Sequence, residues 1–421
     1  MKTAGIIAEY NPFHKGHEYQ IRYTKEKLKA DYVIVAMSGD YVQRGTPALI
    51  SKHARAEMAL RCGADLVLEM PVSVSTASAE AFAMGGVSLL DGLGVVDMLC
   101  FGSESGEISA LKELAEILVE EPEEYKKLLK SFLSEGLTFP AARSQALTEY
   151  FKNPRNFNGD DFDGVLTPLL NEVTQILNTP NNILGIEYCK AILEQEAPMT
   201  PVPLPRVGAG HGQALAESGH AQFASASALR ALWAEQGADA LTPYVPEKAL
   251  ELYKKAEIDG MYTDYAGAGR CELALLRAAC ARPEPFAAVR GVSEGLDHRL
   301  ENAVRSCTGL PQLLDALTTV RYPRARMRRL AMDAALGYTA DTVPALPPYL
   351  HLLGARREAL PLLKHAFLPL SHSLAKLEKE NDACARMAAA QAGASDFGAL
   401  CRRVPGPMGG VYRQKIIFLT N

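Results

Sequence analysis

The chain has 421 residues, 48% of them hydrophobic and 22% charged, with a formal net charge of −5. This composition excludes wholesale disorder and a collagen-like or repeat protein, and at roughly 100–200 residues per domain the length predicts two or three domains. Charge is unevenly spread: residues 1–240 hold 20 Lys and Arg against 31 Asp and Glu, and residues 241–421 hold 24 against 18, a split that suits an acidic catalytic part joined to a part that touches a polyanion.

In chain order, the first predicted element is a strand at Ala4–Ala8. A glycine-containing loop follows, Glu9-Tyr10-Asn11-Pro12-Phe13-His14-Lys15-Gly16-His17, and then a helix that runs to Lys29. Tyr32–Met37 is short and β-branched, as a buried parallel strand should be. A helix over His53–Cys62 stops at Gly63, a strand at Leu66–Leu68 follows, and a helix near 76–92 leads to a strand at Val95–Phe101. Helices and a charged insertion fill 107–170, and Asn181–Tyr188 opens another helix. A proline-rich stretch ends at Arg206, and Ser225-Ala226-Ser227-Ala228-Leu229-Arg230 enters the next helix. Beyond residue 240 the strand signals fade until Lys415–Leu419. This alternation predicts a doubly wound, Rossmann-like parallel α/β domain at 1–240. A mainly helical, basic domain at 241–421 is expected after it, with the last strand returning to a sheet.

The stretch Ala79–Gly102 carries Asp91, Asp97 and five glycines, so it cannot supply an apolar span of about 20 residues. The apolar run at the N-terminus stops at Glu9, short of a secretory signal. The eight cysteines form no CxxC pair and no zinc-like spacing with histidine. The expectation is a cytoplasmic protein with reduced thiols, no protein-held metal, and neither a membrane nor DNA as partner.

In doubly wound sheets ligands bind beyond the carboxyl ends of the strands, which here are the loops 10–17, 38–44 and 102–106. His14 and His17 sit between a strand and a helix N-terminus, where unpaired N–H groups favour an anion. They are candidates to stabilise a phosphate during in-line displacement, although a structural cap with an exposed histidine would give the same spacing. Ser225, Ser227 and Arg230 form a second candidate phosphate cradle, or an ordinary helix cap.

Together, an early HxGH and a late Ser-rich motif with a basic residue resemble the nucleotidylyltransferase superfamily. The runs Gly5–His17, Met37–Gly45, Phe101–Glu104, Asn182–Tyr188 and Arg321–Arg329 are similar, in the same order, to the bacterial tRNA(Met) cytidine acetate ligase family. The resemblance implies a ligase that activates acetate with ATP, with Mg²⁺ expected alongside it. The acetyl group would go to N4 of the wobble cytidine of elongator tRNA(Met), releasing AMP and pyrophosphate. It places the ATP loop on Ile7, Ala8, Glu9, Tyr10, Asn11, Pro12, Phe13, His14, Lys15, Gly16, His17, Glu18, Tyr19 and Gln20, with further ATP contacts at Gly102, Asn182 and Arg206. It suggests Asp40 as an additional polar participant. For the tRNA backbone the candidates are Arg321, Arg324, Arg326, Arg328 and Arg329, which would equally make a solvated helix face. Two other classes fit the same residues: an adenylyltransferase acting on a small phosphorylated metabolite, and a non-catalytic RNA-binding protein on the same fold.

Overall fold

In the computed structural model, which describes residues 1–153, 156, 173–205, 224–293 and 295–420, ten strands are found. These are β1 Thr3–Ala8, β2 Tyr32–Ser38, β3 Tyr41–Val42, β4 Thr46–Pro47, β5 Leu66–Met70, β6 Met98–Ser103, β7 Thr200–Pro205, β8 Leu350–Arg356, β9 Leu370–Ser371 and β10 Ile417–Leu419. β3 and β4 pair as a small antiparallel ribbon. The other eight form one sheet in the order β10-β8-β5-β2-β1-β6-β7, with β9 beside β8. Arg206 lies outside the described residues.

The period-two pattern of the strands accounts for two covered faces. Along β2, Ile34 and Ala36 join the apolar core on one face of the sheet, while Val33, Val35 and Met37 join the core on the other. The first core is closed by helices including Ala79–Asp91, Ile108–Glu120 and Pro180–Glu194, and the second by helices including Lys52–Arg61 and Glu247–Ile258. Ser78 caps the helix Ala79–Asp91 by accepting from the Ala81 N–H. Gly86 lets that helix settle on β1, since a Cβ there would stand 2.7 Å from Ile7 Cδ1.

β1 pairs in parallel with β2 on one side and β6 on the other, and β2 and β5, like β6 and β7, are parallel neighbours. The chain therefore winds outward from β1 in one direction through β2 and β5, then reverses through β6 and β7. The reversal leaves a crevice at the carboxyl ends of β1 and β6.

The prediction of a Rossmann-like α/β region followed by a mainly helical one holds, and residues on both sides of 240, among them Trp233, Leu241, Val245 and Tyr253, share one core. Helices Tyr265–Ala279, Leu296–Ser306, Leu310–Leu317 and Arg324–Leu336 build a core of their own. After them the chain returns: β8 pairs antiparallel with β5, and β10 extends β8. β10 is the strand expected near Lys415–Leu419. β8 was missed, and it makes the sheet mixed. The sequence Leu350–Arg356 is apolar enough for a buried strand, but it lies within a long alanine- and leucine-rich context that reads as helix.

Candidate active site

A cavity of about 500 Å³ opens at the crevice. Ile7, Ala8, Glu9, Tyr10 and Asn11 line it from the end of β1, His14, Gly16, His17, Tyr19 and Gln20 from the following helix, and Phe101 and Gly102 from β6. Of the expected ATP loop, Pro12, Phe13, Lys15 and Glu18 are not among the lining residues. Phe13 is instead fully buried in the core, and Lys15 donates from Nζ to the Pro243 carbonyl at 2.7 Å.

His14 is the N-cap of the helix Lys15–Glu26 and His17 its third residue. His14 Nδ1 accepts from the Gly16 N–H at 3.1 Å, and His17 Nδ1 accepts from the His14 N–H at 3.2 Å, a reciprocal capping box made from imidazoles. A ring nitrogen that accepts a hydrogen bond carries no proton, so each neutral ring bears its hydrogen on Nε2. The rings stack at 3.7 Å with 19° between their planes. The Tyr10 ring meets His17 edge-on at 4.9 Å and Phe13 at 4.8 Å, which holds Tyr10 in the left-handed region at φ 50°. Two N–H donors at a helix N-terminus thus sit in one cavity with fixed tautomers, as anion stabilisation requires.

The loop carrying these rings is clamped by later parts of the chain. Tyr253 Oη accepts from the Phe13 N–H at 2.6 Å and donates to the Phe13 carbonyl at 3.2 Å. The Leu49 N–H donates to Asn11 Oδ1 at 2.8 Å. Arg55, fully buried, donates to the Glu9, Ser38, Gly39 and Ile50 carbonyls. Its charge is met by carbonyl dipoles at the ends of β1 and β2 and at Ile50, and among the described residues it forms no ion pair. This role was not anticipated; the signal in the sequence is an arginine flanked on its helix by Ala54, Ala56, Met58, Ala59 and Leu60.

The late motif reaches the same place. Ser225 caps the helix Ala226–Gln236 by accepting from the Ala228 N–H, and it lines the cavity. Ser227 is exposed, with its Oγ 3.2 Å from that of Ser225. Arg230 donates from Nη1 to the Asn11 carbonyl at 2.6 Å, which ties the late motif to the early one.

Two other motifs interlock. The Asn182 side-chain oxygen accepts from Ser103 Oγ at 2.7 Å and from the Glu104 N–H at 2.9 Å, while the Glu104 carboxylate accepts from the Asn182 N–H at 3.0 Å. Glu104 thereby supplies negative charge at the N-terminus of the helix Pro180–Glu194. Asn182 itself is buried, and it is Asn181, Ile183 and Leu184 that line the cavity. Asn182 shapes the loop beside Gly102 and does not face the cavity directly.

Asp40 is not brought to the histidines. It accepts from Ser395 Oγ at 2.5 Å and pairs with Lys52 at 3.1 Å, inside a network in which Lys52 also pairs with Glu69 at 2.7 Å. Burial opposes its ionisation, but Lys52 and Ser395 outweigh burial and hold the carboxyl well below the usual range.

The arginine run divides. Arg328 is buried and forms a bidentate pair with Glu272 at 2.6 and 2.8 Å. Arg324 is exposed and pairs with Asp315. Arg321 is exposed, and it and Arg326 flank the Tyr322 ring at 5.8 and 5.1 Å. Arg329 is partly buried.

The model of the HIGH nucleotidyl transferase family matches residues 1–403. The tRNA(Met) cytidine acetate ligase of Acetivibrio thermocellus is 35% identical over 405 residues, covering 91% of this chain and 90% of that protein. That of Clostridium perfringens is 36% identical over 370 residues, covering 86% and 87%. The chain belongs to the tRNA(Met) cytidine acetate ligase family. Among solved structures, crystal structures of Thermotoga maritima TmcAL superpose over the full length of both chains. The form bound to alpha-thio ATP gives a TM-score of 0.87 at 31% identity, and the apo form 0.88 at 32%. Membership makes the chain a HIGH-superfamily nucleotidyltransferase-type enzyme that binds ATP. Among the described residues, no helix is long and apolar enough to cross a membrane, and no cluster of three His, Cys, Asp or Glu side chains could hold a metal ion.

Proposed function

We propose that this chain activates acetate with ATP as acetyl-adenylate and transfers the acetyl group to N4 of the wobble cytidine of elongator tRNA(Met). The products are N4-acetylcytidine, AMP and pyrophosphate. The observation that carries this reading is the capped imidazole pair in the cavity, with Nδ1 of His14 and of His17 committed to backbone N–H groups.

An acetate oxygen attacks the α-phosphorus and pyrophosphate leaves. The step forms no bond to the protein, so its demands are alignment of the reactants and stabilisation of spreading negative charge. His14 and His17 donate to the α-phosphate oxygens from Nε2, with the helix N-terminus adding its positive field. Ser225, Ser227 and Arg230 hold the departing pyrophosphate, and Arg206 and Gly102 contribute to the nucleotide site. Mg²⁺ accompanying ATP would be held largely by the phosphates and water and would offset their charge. The cytidine amine then attacks the activated acyl carbon, which requires the wobble base to be splayed out of the anticodon loop. The exposed side of the helical region, at Arg321, Arg324 and Arg326, is the contact surface for the tRNA backbone.

The test is to incubate the purified protein with ATP, Mg²⁺, labelled acetate and total bacterial tRNA, omitting each in turn, and to analyse the nucleosides by mass. Label is expected in N4-acetylcytidine of elongator tRNA(Met), dependent on ATP. AMP formed on another small acceptor without tRNA would overturn the assignment.

A further inference from the structure

We propose that Glu9 takes the proton from the cytidine amine during acetyl transfer, a role that rests on the functional reading above. In that step the N4–acyl carbon bond forms and the bond from that carbon to the AMP phosphate oxygen breaks, AMP leaving with the electron pair. The new amide nitrogen holds one proton too many until a base removes it, and the N–H of the neutral exocyclic amine is too weakly acidic to be lost beforehand.

Among the described lining residues, the titratable groups are Glu9, three tyrosines, His14, His17 and Arg44. The imidazoles are excluded by their own hydrogen bonds: both Nδ1 atoms accept from backbone N–H groups, so their Nε2 atoms are donors. Arg44 is a cation, and phenols are protonated at neutral pH. Glu9 is the one carboxylate in the described lining. It projects from the end of β1, five residues before His14, and its Oε1 accepts the Gln43 N–H at 2.7 Å. That bond fixes the side chain and leaves Oε2 to receive a proton.

The charged and polar groups around it come from four elements: Arg44 beyond β3, Arg55 on the helix Lys52–Arg61, Arg230 on the helix Ala226–Gln236, and the Tyr188 phenol on the helix Pro180–Glu194. Among the described residues none of the arginines forms an ion pair with Glu9. Burial outweighs their pull and raises its basicity above that of a surface carboxylate. The proton then passes from Glu9 to solvent or departing AMP.

The experiment separates the half-reactions on the full chain. Acetate-dependent exchange of labelled pyrophosphate into ATP reads the first, and single-turnover acetyl transfer to elongator tRNA(Met) reads the second, each measured between about pH 5 and 8. Glu9→Gln keeps the acceptor for the Gln43 N–H and removes the base. Its transfer rate is expected to fall on the order of 100-fold further than its exchange rate, with loss of the limb along which wild-type transfer rises with pH. Glu9→Asp, which keeps a carboxylate, should keep that limb. Equal loss in both half-reactions, or a wild-type pH profile in Glu9→Gln, overturns the proposal and leaves the functional reading standing. A wild-type chain with no acetate-dependent exchange, or with no transfer to tRNA, overturns both.

Discussion

In the proposed function each imidazole of the HxGH motif serves two ends. Its Nδ1 satisfies a backbone donor that the helix start would otherwise leave unpaired, and this same bond forces the proton onto Nε2, where a phosphate can use it. His17→Ala should therefore slow acetate-dependent pyrophosphate exchange by about 10²–10³-fold, as loss of one preorganised donor to a developing charge does. His14→Ala removes the N-cap as well, so thermal denaturation should show an additional loss of about 1 kcal/mol. If His17→Ala exchanges at the wild-type rate, the imidazoles are caps only.

At the scale of an element, the helix Arg324–Leu336 shows how one basic run can hold two kinds of arginine. Arg324 and Arg328 are four residues apart and share a face, but Arg324 opens the first turn and stays exposed, like Arg321 just upstream, while Arg328, one turn further in, is buried against Glu272. Arg328→Met strands the buried Glu272 carboxylate and is expected to cost about 3–5 kcal/mol in a denaturant titration. Substituting Arg321 or Arg326 by Ala should leave stability within about 0.5 kcal/mol. In tRNA binding, each of these two changes should lower the slope of log K against log salt by about 1. An unchanged slope would place the RNA on another face.

For the whole molecule, the decisive joint is the buried network at β5 and β8. Their antiparallel register sets His351 opposite Glu69, and the two pair at 2.5 Å while Gln391 donates to Glu69 at 2.6 Å. Lys52 bridges Glu69 and Asp40, and Ser395 closes the ring from the helix Asp382–Leu400. Gly39 leaves room for this, since a Cβ there would stand 2.5 Å from Glu69 Oε1. One turn beyond Lys52, Arg55 grips the ends of β1 and β2, so the C-terminal segment is tied to the loop that bears the histidines. Lys52→Met leaves two buried carboxylates without their cation and should cost about 3–5 kcal/mol. Burial favours the neutral acids, yet Lys52 wins and lowers both Asp40 and Glu69. Unfolding then takes up protons, so the stability these two acids contribute is present above about pH 4 and is lost as the pH falls below it. Wild-type acid denaturation should follow that course, and Lys52→Met should flatten it.

What the sequence determined by itself is local: the strand, loop and helix that place His14 and His17 at a helix N-terminus, the cap at Ser225, and the alternation that makes a wound sheet. Those features depend on neighbours within a few residues, where hydrogen-bond geometry and side-chain period are legible. The recruitment of β8, the burial of Asp40 and Arg328, and the placing of Glu9 beside Gln43 were decided only in three dimensions. Each depends on a partner far along the chain, such as Ser395 for Asp40 or Glu272 for Arg328. A charged side chain carries no mark of whether it meets water or a distant counter-charge until the chain has folded around it.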